Sequence, residues 1–205
     1  MMNINKEDLF GKIDPKIREK IANKTIGIAG AGGLGSNVAV SLARCGIDKL
    51  VIADFDKVEY PNLNRQYYFL DQVGMYKVDA LYETIKRINP FIKIEKYKTE
   101  LNSLNVKDIF SKVDILVEAL DKAEVKQMLI ENWTEHFPEK PIIIASGVYG
   151  FGDFEKLRIK VVDKIYICGD QVTEIKNDFS PLSPKIGIVS NMQSDLVVKI
   201  LVNEE

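Results

Sequence analysis

Two observations together predict an α/β fold, a doubly wound, Rossmann-like, mostly parallel sheet with helices on both faces. Apolar runs dense in β-branched residues recur at Thr25 to Ala29, Leu50 to Ala53, Ile92 to Ile94, Asp114 to Val117 and Ile142 to Ala145, as strands buried on both faces require. Between them, apolar residues fall at helical spacing: Leu34, Val38 and Leu42; Val78, Leu81, Ile85 and Ile88; Val125, Leu129 and Trp133. Each set occupies one helix face. Strands alternating with one-faced helices imply right-handed crossovers and a helix layer above and below the sheet.

The boundaries agree with that alternation. Asp14-Pro15 sets a capping side chain before a proline at the first helical position, which predicts a short helix to about Ala22, packed outside the sheet. Gly46 follows the first crossover helix, which ends near Arg44, and can take the left-handed C-terminal conformation. Asn89-Pro90 stops the next helix. After Gly150-Phe151-Gly152-Asp153, the segments Leu157 to Val162 and Lys164 to Ile167 flank an Asp163-Lys164 turn and predict an antiparallel C-terminal hairpin extending the sheet. A last helix is expected from about Ile188 to Val202. No repeat or linker divides the 205 residues, so one domain is expected: a helical segment over 1–24, a nucleotide-binding core over 25–147, and hairpin plus terminal helix over 148–205.

Composition narrows the partners. A formal charge of -2 argues against a nucleic acid or an anionic membrane as the main partner, so any anion site must be local. No stretch approaches the roughly 18 uncharged apolar residues of a membrane span, and the start lacks a signal-peptide core, which reads as a cytoplasmic protein. Two cysteines, Cys45 and Cys168, are too few for a disulfide framework or a four-thiolate zinc site, and no structural zinc is expected.

Directly after the first strand comes Gly30-Ala31-Gly32-Gly33-Leu34-Gly35-Ser36, a G-x-G-x-x-G at a strand-to-helix turn. Gly30 permits the tight turn, Gly32 lets a phosphate approach the backbone, and Gly35 lets helix and strand pack closely. The helix dipole and amide N–H groups then favour an anion. Asp54 ends the second strand nineteen residues after Gly35, where a bound nucleotide presents its ribose hydroxyls. The bland alternative is a packing turn with Asp54 capping a strand end. Ser36 stands where a P-loop requires lysine, which excludes that motif.

The glycine loop and Asp54 alone would serve a dinucleotide equally well, so an NAD-binding oxidoreductase or redox sensor stays open at this point. The segment from Asp54 to Gln66 and the helix opening Gly74-Met75-Tyr76-Lys77 are richer in polar groups than a dinucleotide needs. A triphosphate brings more charge and must align a leaving pyrophosphate with a nucleophile, which calls for further cations. Arg65 offers a planar fork for phosphate oxygens, Lys77 a mobile point charge and Asn62 neutral donors, all leaving the carboxyl edge of the sheet. Asp121, after the fourth strand, has the chemistry to hold a Mg²⁺ bound to phosphates, although a lone aspartate there is more often a helix cap. Taken singly, Arg65 and Lys77 read as solvated charges or surface ion pairs. His136, at a helix end, reads as a surface residue.

At these residues the chain resembles the ThiF/MoeB/HesA group of ubiquitin-activating-enzyme-like adenylyltransferases. The motifs are Gly30 to Ser36, Asp54-Phe55-Asp56 with Val58-Glu59, Asn62-Leu63-Asn64-Arg65-Gln66, and Gly74 to Lys77 running to Asn89-Pro90. The short ThiF-type sulfur-carrier adenylyltransferases look similar throughout, including Ala145-Ser146-Gly147 and Cys168-Gly169-Asp170. The resemblance implies ATP- and Mg²⁺-dependent activation of the C-terminal Gly-Gly carboxylate of a small ubiquitin-fold sulfur carrier as its acyl-adenylate, and a homodimer; thiamine thiazole synthesis is the first pathway it suggests, with molybdopterin or another sulfur pathway open. It implies nucleotide contacts at Gly30, Gly32, Gly33, Gly35, Asp54, Asp56, Asn62, Arg65, Gln66 and Lys77, with Arg65, Lys77 and Asp121 catalytic and Asp121 on magnesium. The chain departs from the group in lacking paired C-x-x-C motifs. Cys168 does not match the spacing of the cysteine that joins the carrier in several relatives, and Arg18 is the nearest counterpart of their N-terminal arginine. A non-catalytic partner module would lack Arg65 or Lys77 equivalents, and both are present.

Overall fold

A computed structural model describes residues 4–173 and 180–203. Seven strands form one sheet in the order β3-β2-β1-β4-β5-β7-β6: β1 Thr25–Ala29, β2 Lys49–Ala53, β3 Lys93–Tyr97, β4 Ile115–Glu118, β5 Ile142–Ala145, β6 Arg158–Val162 and β7 Ile165–Gly169. Every pairing is parallel except β6 with β7. The helices are α1 Lys6–Phe10, α2 Pro15–Ile21, α3 Gly33–Cys45, α4 Lys77–Ile88, α5 Val106–Phe110, α6 Ala123–His136 and α7 Ser183–Asn203.

Side-chain alternation builds two cores. Ile26 and Ile28 of β1, Leu50 and Ile52 of β2, and Ile115 and Val117 of β4 face α3, α4 and α7. Val51, Leu116, Ile142 and Ile144 point the other way, onto Phe110 of α5 and Leu129 and Trp133 of α6. This is the period of two expected of strands covered on both sides. Trp133 is fully buried; its indole N–H donates to the Lys140 carbonyl at 3.1 Å, and its ring lies 4.7 Å from that of Phe137.

The predicted boundaries hold where local chemistry sets them. Asp14 caps α2 by accepting the Lys16 N–H at 2.8 Å, and Gly46 ends α3 at φ 89°. The hairpin turns at Asp163, φ 54°. Three expectations are corrected. The strand placed at Ile92 to Ile94 and taken as buried is an edge strand at Lys93–Tyr97, mostly exposed. It has one neighbour and charged Lys93, Glu95 and Lys96 along its length, the pattern that keeps a free edge from pairing with another chain. The last helix begins at Ser183, not near Ile188: Pro184 is tolerated in a first turn, and Gly187 lowers propensity by only about 1 kcal/mol. Short helices α1 and α5 were not foreseen; five residues each give too little periodicity to read.

The sheet order places the reversal of direction between β1 and β4. From β1 the chain winds outward through β2 and β3, then returns by α5 to β4 on the other side of β1. The crevice outside the carboxyl ends at such a switch point is where open α/β sheets bind ligands.

Candidate functional site

The glycine loop leaves β1 at that crevice. Gly30 has φ 97°, and a Cβ there would stand 2.6 Å from the Ala119 carbonyl oxygen of the loop after β4. A Cβ at Gly35 would lie 1.9 Å from the Gly30 carbonyl oxygen, so α3 can start this close to β1 only with glycine at 35. Above Gly32 and Gly33 the surface is open, the nearest groups being Gln66 at 3.9 Å and Ile186 at 3.6 Å from where a Cβ would be. The N-cap of α3 is Gly32, and no side chain caps it. The amides of the first turn and the positive end of the helix dipole therefore face the crevice without a resident acceptor.

The loop is braced from its neighbours. Asp54 Oδ2 accepts the Ala31 N–H at 2.7 Å, and the buried Tyr68 hydroxyl donates to the Ala31 carbonyl at 2.6 Å. The Ser36 hydroxyl donates to the Gly32 carbonyl at 2.6 Å and accepts the Tyr67 N–H at 2.9 Å. Asn37 donates to the carbonyls of Gly33 and Arg65, at 2.6 and 3.1 Å. Sequence reasoning missed Tyr68, Ser36 and Asn37 as braces; their only signal was polar residues at positions that must pack.

Asp54 does both jobs considered for it. Besides Ala31 it accepts the Asp56 N–H at 2.8 Å, so it shapes the strand end, and it remains partly exposed towards the crevice. Burial pushes its carboxyl up, opposed by Lys77 and by the two N–H bonds. Lys77, at the start of α4, is 7% exposed and sets Nζ 2.7 Å from Asp56 Oδ2. The solvated-charge alternative fails for Lys77, while the ion-pair alternative is met by Asp56. An ammonium with so little water is held there by its surroundings, and those surroundings include Asp54 and Asp56. Asp56, expected against nucleotide, has its carboxylate on Lys77.

The segment 60–66 supplies the opposite wall. Asn62 Oδ1 accepts the Glu59 N–H at 3.0 Å and closes a short 3₁₀ turn, Tyr60–Asn64, which commits the acceptor and leaves amide donors for a ligand. Arg65 follows that turn, with Nη1 2.8 Å from Asn64 Oδ1 and 3.2 Å from the Pro61 carbonyl. Burial pulls its guanidinium pKa down and the Asp121 carboxylate raises it, so Asp121 lies within electrostatic reach of Arg65. Gln66 is 9% exposed, and its Oε1 has no hydrogen-bond partner. An unpartnered buried polar atom leaves Gln66 an acceptor to offer a ligand. Asp121 is exposed, and the N-cap of α6 is Lys122, with no side-chain cap bond. The helix-cap alternative for Asp121 thus fails.

The remaining candidates lie elsewhere. Cys168 is fully buried in β7 and burial pushes its thiol up to about 12, which removes the thiolate a covalent role would use. Cys45 sits at the end of α3, also with its thiol raised by burial. Arg18 pairs with Glu7 at 2.5 Å and lines a cavity with Lys6, Phe10, Cys45 and Asp48 at the amino edge of the sheet. Six residues of extended chain separate Asp48 from Asp54, about 20 Å at about 3.3 Å each, so Arg18 does not reach the crevice of its own chain. His136 is exposed at the end of α6. Among the described residues no three His, Cys, Asp or Glu side chains cluster to hold a metal by themselves, and no helix is long and apolar enough to cross a membrane.

Comparison with known proteins places this geometry. The chain is 35% identical over 141 residues to ubiquitin-like modifier-activating enzyme 5 of Caenorhabditis briggsae, covering 63% of this chain and 32% of that protein. The same enzyme of Drosophila willistoni matches at 35% over 130 residues, 58% of this chain and 32% of the relative. The matched region thus spans about a third of the length of these relatives. Among solved structures, the Escherichia coli tRNA N6-threonylcarbamoyladenosine dehydratase TcdA, crystallised with ATP, superposes with a TM-score of 0.86 at 21% identity, covering 95% of this chain and 94% of that one. Escherichia coli MccB superposes at 0.70, with 21% identity over 91% of this chain and 59% of that one. At these identities the superpositions show the shared fold. The sequence pattern of the ThiF family matches residues 5–205, and the chain belongs to the ThiF family.

Proposed function

We propose that this chain is an ATP-dependent adenylyltransferase that activates the C-terminal glycine carboxylate of a small ubiquitin-fold sulfur carrier, releasing pyrophosphate. One observation carries the reading: the uncapped start of α3, the half-buried Arg65, the buried Lys77 and the exposed Asp121 all converge on the β1–β4 crevice. Hydride transfer to a dinucleotide has no use for Arg65 and Lys77 there. The relatives named as ubiquitin-like modifier-activating enzymes support a partner with a ubiquitin fold, and the TcdA complex supports ATP.

In the proposed reaction a carboxylate oxygen of the carrier attacks the α-phosphorus, the bond from that phosphorus to the bridging oxygen breaks, and pyrophosphate leaves. The first-turn amides of α3 take phosphate oxygens, Asp54 a ribose hydroxyl, Arg65 and the Asn62 amide the outer phosphates. Lys77 stabilises charge at the phosphorus under attack. A carboxylate attacking a phosphate needs charge neutralisation and alignment more than proton transfer, which fits a crevice with cations and no histidine. One exposed carboxylate fits Mg²⁺, which takes one or two protein carboxylates and fills its shell with phosphate and water; Asp121 would hold it, and the ion would neutralise phosphate charge.

The test is ATP–pyrophosphate exchange with each Gly-Gly-ended carrier encoded alongside this chain, thiamine-thiazole carriers first. Carrier-dependent exchange is expected. Saturable NADH binding without ATP competition, and no exchange with any carrier, would overturn the reading.

A further inference from the structure

A polar cluster at the carboxyl ends of β4 and β5 has no part in the reaction above. The two strands pair only at Leu116 with Ile142 and Val117 with Ile143. Beyond that point the Glu118 side chain replaces the ladder: Oε1 accepts the Leu120 N–H at 2.7 Å and Oε2 the Ala145 N–H at 3.4 Å. Lys126 of α6 places Nζ 3.1 Å from Glu118 Oε2 and 2.7 Å from the Ala145 carbonyl. From the other face of the sheet, Gln193 of α7 donates to the Glu118 carbonyl at 3.0 Å.

Glu118 is wholly buried. A buried ion pair seldom adds stability over apolar side chains of the same volume, and Ile115-Leu116-Val117 would be continued well by a fourth apolar residue. What an apolar side chain cannot do is hold the Leu120 amide and so fix the bend over 119–122. That bend touches the site on two sides. The Ala119 carbonyl lies against Gly30, and Asp121 lies near enough to Arg65 to favour its charge.

We propose that Glu118, clamped by Lys126, is a positioning residue that holds the 119–122 bend against Gly30 and so keeps Asp121 at the mouth of the crevice. The claim about the bend stands on the hydrogen bonds; only the claim about what Asp121 serves rests on the adenylyltransferase reading. Glu118→Leu removes the acceptors at near-constant volume, and Glu118→Gln restores one. In Glu118→Leu the Leu120 amide should exchange with solvent at least tenfold faster, and the melting temperature should fall, because Lys126 and the Leu120 and Ala145 amides lose their acceptor. ATP affinity without Mg²⁺ should hold, and the gain in ATP affinity on adding Mg²⁺ should fall roughly tenfold to a hundredfold, as when a group orienting a metal ligand is lost. Glu118→Gln should recover part of both.

Unchanged Leu120 exchange, or a Mg²⁺-free ATP affinity that falls as far as the Mg²⁺-bound one, overturns the proposal, the latter by making Glu118 a structural prop. If wild-type ATP affinity does not respond to Mg²⁺, the role given to Asp121 fails, and Leu120 exchange still decides the positioning claim. Should Glu118→Leu not fold, Glu118→Gln and Lys126→Met carry the same measurements.

Discussion

Lys77 and Lys185 both lose nearly all contact with water, and each sets its ammonium on an aspartate. The Lys185–Asp170 pair spans 3.0 Å with side chains 3% and 4% exposed. Asp170 also accepts the N–H groups of Val172 and Thr173, at 2.9 and 2.8 Å, and the Thr173 hydroxyl. The Lys77–Asp56 pair spans 2.7 Å, but Asp56 is 47% exposed. One lysine is sealed in with a saturated partner, tying the end of β7 to the start of α7. The other is buried against a partner that water, or a phosphate oxygen, can replace. Burying a lysine therefore does not by itself mark function; the two lysines differ in whether the partner is open to solvent.

The largest effect expected is on the sealed pair. Lys185→Met leaves Asp170 charged and uncompensated, and should cost about 3–5 kcal/mol in urea unfolding. A loss under about 1 kcal/mol would erase the distinction drawn here. Next comes Lys77→Ala, which should lower carrier-dependent ATP–pyrophosphate exchange roughly 10²–10³-fold, the size seen when one charge-stabilising group is removed from a reacting centre, with a smaller change in unfolding. The reverse ranking, stability lost and exchange kept, would make Lys77 the structural one.

The third expectation concerns pH. Burial opposes the charge of Asp170, but the Thr173 and Val172 N–H bonds, the Thr173 hydroxyl and Lys185 outweigh it and hold the carboxyl below its usual range. A depressed carboxyl stabilises the fold fully above the unfolded value of about 3.9, and that contribution disappears as pH falls through the lower, folded value. The stability gap between wild type and Asp170→Asn should thus be constant near neutrality and close below about pH 4. Asp54, raised by burial, has the opposite sign: between about 3.9 and its raised value the folded chain binds the proton more readily, so acidification there favours folding. The smallest effect is expected for Asp56→Asn, at most about 1 kcal/mol in unfolding, because Asp56 itself is open to water and Asp54 still faces the Lys77 ammonium.

Much of this was legible in sequence, for identifiable reasons. Strands and crossover helices were readable wherever burial imposes a period, as in Ile142 to Ala145 or Val78 to Ile88. The edge strand was not, because Lys93-Ile94-Glu95-Lys96-Tyr97 answers to solvent on most sides. In the site, residue types with one strong chemical use stood out: the glycines, Asp54, Arg65, Lys77 and Asp121. Tyr68, Ser36, Asn37 and Glu118 did not, since their work is to hold backbone groups brought near only by folding. Glu118 did leave a trace, an acid closing the apolar run Ile115-Leu116-Val117. That Asp56 would be spent on Lys77 could not be read from spacing, since it depends on how α4 meets the end of β2.

Trp133 is the only tryptophan of the chain, and it lies in the core on the α5–α6 side of the sheet, opposite the side that α3 covers. Its emission will therefore follow unfolding of that half of the molecule and stay nearly silent when nucleotide enters the crevice. Folding can be followed by intrinsic fluorescence in the presence of ATP without correction for occupancy, and any spectral change on adding ATP would report a rearrangement transmitted through the sheet.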